Sequence, residues 1–425
     1  MHPATFARRF TPAILLAAVI AAASPAIAIA ADAALTLAEA QRLAVERSRS
    51  LEGGRLGIAA ARDMAVAAGQ YPDPVVKIGI ENVPAEGGDK FSTTRDFMTM
   101  RRIGVMQELT RADKRQLRSE RYQLEARKGE AEQEATRAAI QRDVALAWLD
   151  AWHAEAMAGV LAEQRLRGLQ EVQAAEAEYR AGRGSQSGVL MAHASLAMLD
   201  DRAAELERRV RTARTTLTRW IGEGYDRAPL AAQRPDIGAL AFATHAEALA
   251  RHPQIEALAR AQEIAASEAR LALANRSPDW SVEVAYSDRA SRFGDMFSIG
   301  VSVPLPWDQP NRQNREVAAK LALAGQAEAQ RDEALRQHMA EVHSMVQEWE
   351  SNRTRLARYE REIIPLATAV ADAAVAAYRG GKANQGEVLA ARRAELESRL
   401  QALQLQSDTA RLWAQLNFLI PENVK

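Results

Sequence analysis

Apolar and polar residues alternate one by one in four short windows, and recur every three to four residues through most of the rest. Trp280, Val282, Val284 and Tyr286 alternate with Ser281, Glu283, Ala285 and Ser287. Phe297, Ile299, Val301 and Val303 alternate with Ser298, Gly300 and Ser302. Val76, Ile78 and Ile80 alternate with Lys77, Gly79 and Glu81, and Ile103 and Val105 lie in a matching window. A period of two reads as a half-buried strand. Strands are therefore predicted over about 74–84, 97–109, 279–287 and 295–305. Polar, Gly-containing stretches from Pro84 to Asp89 and from Ser287 to Asp295 join them into two hairpins.

Very long helices are predicted after the hairpins, over about 112–181 and 312–379, with return helices over about 186–221 and 385–420. Shorter helices, about 37–70 and 244–275, precede the hairpins. Leu335, Val342, Trp349, Leu356 and Ile363 recur at a seven-residue step, with Met339 and Val346 four residues on from two of them. Leu117, Leu124, Ala131, Ala138, Ala145, Trp152 and Leu166 keep the same step in the first long helix. This is a coiled-coil seam. Some 70 residues at 1.5 Å each give about 100 Å, a length that needs continuous lateral partners.

The two halves resemble each other in order. Tyr179-Arg180-Ala181-Gly182-Arg183 matches Tyr378-Arg379-Gly380-Gly381-Lys382, followed by Gln186 and Gln385 and by the pairs Val189-Leu190 and Val388-Leu389. Upstream, Pro72-Asp73 matches Pro278-Asp279, Ile103-Gly104-Val105 matches Ile299-Gly300-Val301, Leu109 matches Leu305, and Trp152 matches Trp349. Arg115-Gln116 and Arg118 match Arg312-Gln313 and Arg315. Ordered matches across strands, turns and helices indicate a repeat. The units are 31–225 and 226–425.

The first thirty residues read as a leader instead of a structural element. Arg8 and Arg9 precede an apolar run from Ile14 to Ala23 and a small-residue site at Ala28-Ile29-Ala30. That order marks a secretory signal peptide, 1–30, and the run is too short to span a bilayer. Losing Arg8 and Arg9 tips the balance of 55 basic and 55 acidic side chains two units negative. A nucleic-acid-binding role is thereby disfavoured. With no Cys, the chain has neither disulfides nor a lipid-anchoring thiol.

Two hairpins supply four strands, polar on one face and apolar on the other, as in a wall between lipid and water. Open sheet edges are not tolerated in hydrocarbon, and a spanning barrel needs about eight strands. A barrel built from this chain must be shared between copies. The two Tyr-x-x-Gly turns with their Val-Leu pairs, Ile363-Ile364-Pro365-Leu366, and the opening Leu35-Thr36-Leu37-Ala38-Glu39-Ala40 resemble the TolC-like outer membrane factors of tripartite efflux pumps and type I secretion. The length and short hairpin loops are most similar to the heavy-metal branch, which serves cobalt-zinc-cadmium or copper-silver export. The resemblance implies a mostly α fold with a small membrane β part: a homotrimer with a 12-stranded β-barrel continued by an α-helical periplasmic barrel. Periodicity alone does not choose three copies over two. The implied partners are a periplasmic adaptor, an inner-membrane RND-type transporter and outer-membrane lipid. The implied role is a passive exit duct, with metal cations the first choice of substrate and drugs or a secreted polypeptide the alternatives. Another class, a periplasmic coiled-coil scaffold or adaptor without a pore, also uses helical hairpins.

The resemblance places the turns at the periplasmic tips, where Tyr179, Gly182, Arg183, Tyr378, Gly381 and Lys382 would dock the adaptor. The glycines would also simply close helical hairpins. Glu387, just before the second Val-Leu pair, would form an acidic ring at a constriction; alternatively it is a helix-start carboxylate favoured by the dipole. Gly188 stands at the matching place in the first unit. Pro365, matched by Leu166, would kink the second long helix alone. Nothing points to catalysis, a cofactor or a metal centre: the chain has no phosphate-binding glycine motif and no His-Glu-x-x-His. Met98, Met100 and Met106 share one strand face, expected to pack or to meet lipid.

Overall fold

The computed structural model describes residues 34–233, 235–240 and 252–419. The signal peptide, the predicted helical start at 244–251 and the predicted helix end at 420 lie outside them, and the final helix stops at Asn417. The elements run α1 (Leu37–Arg47), α2 (Arg49–Ala68), β1 (Val75–Glu81), β2 (Met100–Leu109), α3 (Ala112–Arg180) and α4 (Gln186–Ile221). They continue with α5 (Pro253–Ala274), β3 (Trp280–Arg289), β4 (Met296–Ser302), α6 (Gln313–Arg358), α7 (Ile364–Arg379) and α8 (Gln385–Asn417). Three of the four strands are three or four residues shorter than the alternation suggests, and β3 runs two residues further at its end. The loop of the first hairpin takes up the end of β1 and the start of β2, and β4 stops at Ser302, two residues before Pro304. Among the described residues no helix is long and apolar enough to cross a membrane.

The four strands form one antiparallel sheet in the order β1-β2-β3-β4. Registers such as Ile78↔Ile103, Ile103↔Tyr286 and Tyr286↔Phe297 put all the alternating apolar residues on one face. The pair β2-β3 stitches the two halves together, whereas β1 and β4 are open edges.

The core lies midway along the helices, where α1, α3, α4, α6 and α8 meet around Val144, Trp148, Leu149, Leu217, Val342 and Leu416. A strap of irregular chain crosses it: Leu35 N–H donates to Pro229 O (2.7 Å) and Ala231 N–H to Leu35 O (3.1 Å). Four indoles fasten the strap by N–H donation, Trp148 to Leu35 O (3.0 Å), Trp152 to Ala231 O (3.2 Å), Trp349 to Ile237 O (3.2 Å) and Trp413 to Ala239 O (3.0 Å). Buried indole N–H groups need such partners.

The seven-residue seam of α3 holds from Leu124 to Ala145, with Trp152 still packed against the core, and then fails, with Leu166 63% exposed. A straight helix drifts about 20° per heptad from a strict repeat. Nearer the tip the buried stripe has moved to Leu161, Gly168, Val172 and Ala175. In the second long helix the α register breaks at Tyr359–Ile363, a π-helical turn one step before Pro365. Pro365 lacks the N–H that would bond the Arg361 carbonyl, and its ring crowds that carbonyl. Ile364 N–H reaches back to Tyr359 O, and Pro365 opens α7 in the first turn.

Candidate functional site

Two regions gather the candidate side chains, one at each end of the helices. At the tips, α3 and α7 end in the same way. Gly182 (φ +71°) and Gly381 (φ +70°) occupy the left-handed conformation. Arg183 N–H bonds Glu178 O (3.0 Å) and Gly182 N–H bonds Tyr179 O (3.0 Å); Lys382 N–H bonds Ala377 O (2.8 Å) and Gly381 N–H bonds Tyr378 O (3.0 Å). This double closure satisfies carbonyls orphaned at the helix end and favours glycine there. The return helices start on side-chain caps, with Gly188 N–H donating to Ser185 Oγ (3.1 Å) and Glu387 N–H to Asn384 Oδ1 (3.0 Å). Arg183 and Lys382 point into solvent beside these turns.

The two tips touch. Tyr378 Oη donates to the Glu178 carboxylate. Burial and then that carboxylate push the Tyr378 phenol up to about 12. A Cβ at Gly188 would lie 2.8 Å from Gln385 Oε1. Gly188 thus faces the neighbouring tip, where a side chain would have to displace the Gln385 amide. Glu387 is exposed and accepts from Asn384 Nδ2 (2.7 Å), a second bond to the capping side chain.

Behind the tips a groove between α3, α4 and α8 is lined by Glu171, Met191, Met198, Leu199, Arg202 and Arg392. Burial pushes the Glu171 carboxyl up, against the pull of Arg392 and Arg167. Alongside, Glu395 is 2% exposed and accepts from Arg392 (2.9 Å), Arg399 (2.8 Å) and Thr368 (3.2 Å). Arg392 and Arg399 stand at helical spacing from Glu395 on α8, but nothing in the sequence marks its burial or the contact with Thr368 of α7.

At the other end, the sheet has two unlike faces. Val76, Ile78, Ile103, Val105, Val284, Phe297, Ile299 and Val301 lie on one, and most are more than 40% exposed. Opposite them Glu283 binds Lys77 (2.7 Å) and Arg102 (2.7 Å), and Arg102 also binds Glu81 (3.0 Å). Met100 and Met106 belong to this polar face, paired with Arg289 and Glu283; they do not join the apolar face, and Met98 precedes the strand. Among the described residues no three His, Asp or Glu side chains converge to hold a metal ion.

Residues 245–420 match the family described as outer membrane efflux protein. No curated protein matches the chain as a sequence relative. Solved structures share the fold. The outer-membrane channel OprN superimposes with a TM-score of 0.76 at 18% identity, covering 91% of this chain and 89% of its own. The outer membrane protein VceC of Vibrio cholerae gives 0.74 at 20% identity, covering 90% and 95%. CusC, whose structures concern folding and transmembrane channel formation, gives 0.75 at 17% identity, covering 89% and 91%.

Proposed function

We propose that this chain is one subunit of an outer-membrane efflux duct, a passive exit path driven by an inner-membrane transporter through a periplasmic adaptor. The observation that carries the reading is the open four-stranded sheet, apolar on one face and ionic on the other, mounted on helices about 100 Å long. One face suits lipid and the other a water-filled lumen. Neither edge can remain unpaired in hydrocarbon. Three copies sharing one 12-stranded barrel satisfy both demands, and the family match over 245–420 favours that number. A leader over 1–30 accounts for export.

In this reading Tyr179, Gly182, Arg183, Tyr378, Gly381 and Lys382 form the adaptor-docking tips, and the groove behind them offers apolar and charged side chains to a helical partner. Metal cations are the substrate we put first. Glu387 would present one carboxylate per copy near the tip opening, and such rings favour cations. Its carboxylate stays exposed while accepting from Asn384 Nδ2. Deleting the gene and measuring susceptibility to cobalt, zinc, cadmium, copper and silver salts and to drugs tests the assignment. Selective metal sensitivity is expected. Drug sensitivity alone would move the substrate to drugs, and a soluble periplasmic monomer would overturn the duct.

A further inference from the structure

We infer that successive copies pair β4 to β1 in one particular register, with Gly300 opposite Gly79 of the next copy and Ile299 opposite its Ile80. The inference rests on the reading that several copies share one barrel.

The chain contains its own template for that joint. Inside one copy, the second hairpin strand of the first unit pairs with the first hairpin strand of the second unit: Ile103↔Tyr286, Gly104↔Ala285 and Val105↔Val284. The repeat carries Ile103, Gly104 and Val105 onto Ile299, Gly300 and Val301, and Asp73 onto Asp279. The second shift takes Tyr286, Ala285 and Val284 back to Ile80, Gly79 and Ile78. Transferring the pairing yields Ile299 opposite Ile80, Gly300 opposite Gly79 and Val301 opposite Ile78. The apolar face then continues unbroken across the joint. On the polar face Ser302 meets Lys77, and Ser298 meets Glu81. A register slipped by one would instead turn the apolar set of one strand toward the lumen.

Two further observations agree. A Cβ on Gly104 would lie 3.0 Å from the Ala285 Cβ, so the internal joint needs a small residue at that place. Gly79 and Gly300 occupy the equivalent places, yet within one copy a Cβ on either would meet nothing within 4 Å. Their smallness is unexplained until a second copy is added. Asp279 accepts from Arg111 N–H (3.0 Å) and Lys114 Nζ (2.8 Å), fastening the internal joint at its helical end. Asp73 is its counterpart, is exposed, and among the described residues shows no hydrogen bond or ion pair from its side chain. The transfer carries Arg111 and Lys114 onto Asp308 and Asn311, and so lays Asp73 against the segment ahead of α6 in the neighbouring copy, on the side of Arg315, the counterpart of Arg118, whose charge reaches Asp279.

The natural chain has no Cys, so paired cysteines read the register directly. Cross-strand Cα separations of about 4.5–5.5 Å fall within disulfide reach. Outer membranes carrying Gly79→Cys with Gly300→Cys, or Glu81→Cys with Ser298→Cys, should lose the monomer band on oxidation and regain it on reduction. The slipped pairs Gly79→Cys with Ser298→Cys and Gly79→Cys with Ser302→Cys should keep it. Crosslinking of a slipped pair in preference to both matched pairs would overturn the register while leaving the shared barrel intact. If no pair crosslinks and the protein fractionates as a soluble monomer, the register and the shared barrel fall together.

Discussion

Tyr378 and Glu178 meet through a single hydrogen bond that ties the two hairpin tips. A bond to a charged acceptor contributes about 1–3 kcal/mol, less where solvent reaches it as here. Tyr378→Phe should therefore loosen the tips without unfolding the helices. Larger conductance of the reconstituted channel, at an unchanged melting midpoint, is the expected result, and unchanged conductance would remove the bond from any role at the opening. Glu395 behaves differently because it is buried between two arginines. Removing one partner of a buried ionic group costs about 3–5 kcal/mol. Glu395→Ala should lower the thermal midpoint clearly, whereas the exposed Arg393→Ala should not. The turn glycines at 182 and 381 were legible in the sequence because left-handed backbone selects glycine. Glu178 and Glu395 were not, since a single Glu among many in an amphipathic helix carries no mark of the helix it will face.

The elements themselves were legible wherever a short period fixed them, and least so where the chain departs from regularity. Pro365 foretold a disturbance in the second long helix, yet the disturbance is a π-helical turn at Tyr359–Ile363. One residue is absorbed ahead of the proline. Pro365→Ala should restore α register there, and slower amide exchange over 359–366 is the expected signature. Unchanged exchange would mean that packing holds the turn. At the cap of α5 a neighbour distant in sequence was not legible: the His252 ring lies 4.4 Å from that of His338. Burial, then His338 and Arg142, hold the His252 imidazole down at about 4. His338 is also lowered by burial, with Glu341 opposing. In the unfolded chain His252 would titrate near 6.5, so between about pH 6.5 and 4 the unfolded state binds more protons. Stability is full above that window and is lost as pH falls through it, by up to about 3 kcal/mol. His252→Asn keeps a helix-capping side chain without the titration. Its melting midpoint should fall less between pH 7 and pH 4 than that of the natural protein; parallel curves would rule the pair out as a source of acid sensitivity.

At the scale of the whole molecule, sheet and tips lie at opposite ends of helices about 100 Å long, with the strapped core between them. That separation was legible from helix length and strand count. The strap was not, because the four carbonyls it offers to tryptophans belong to irregular chain with no periodic signal. Contacts this far apart and sharing no partners should act independently. Assembly would be set at the sheet edges and pump coupling at the tips, so substitutions should separate the two. Arg183→Glu combined with Lys382→Glu reverses the charge on the exposed turns without touching a strand. The variant should reach the outer membrane and remain oligomeric in detergent, yet leave cells as sensitive as the deletion strain. Ile299→Pro removes a backbone donor from the edge strand β4 and leaves the tips unchanged. It should fail to assemble, with the protein lost from the outer-membrane fraction. Loss of the oligomer in the tip variant would show that the ends are coupled through the helices, and the duct would then have to be treated as one cooperative unit.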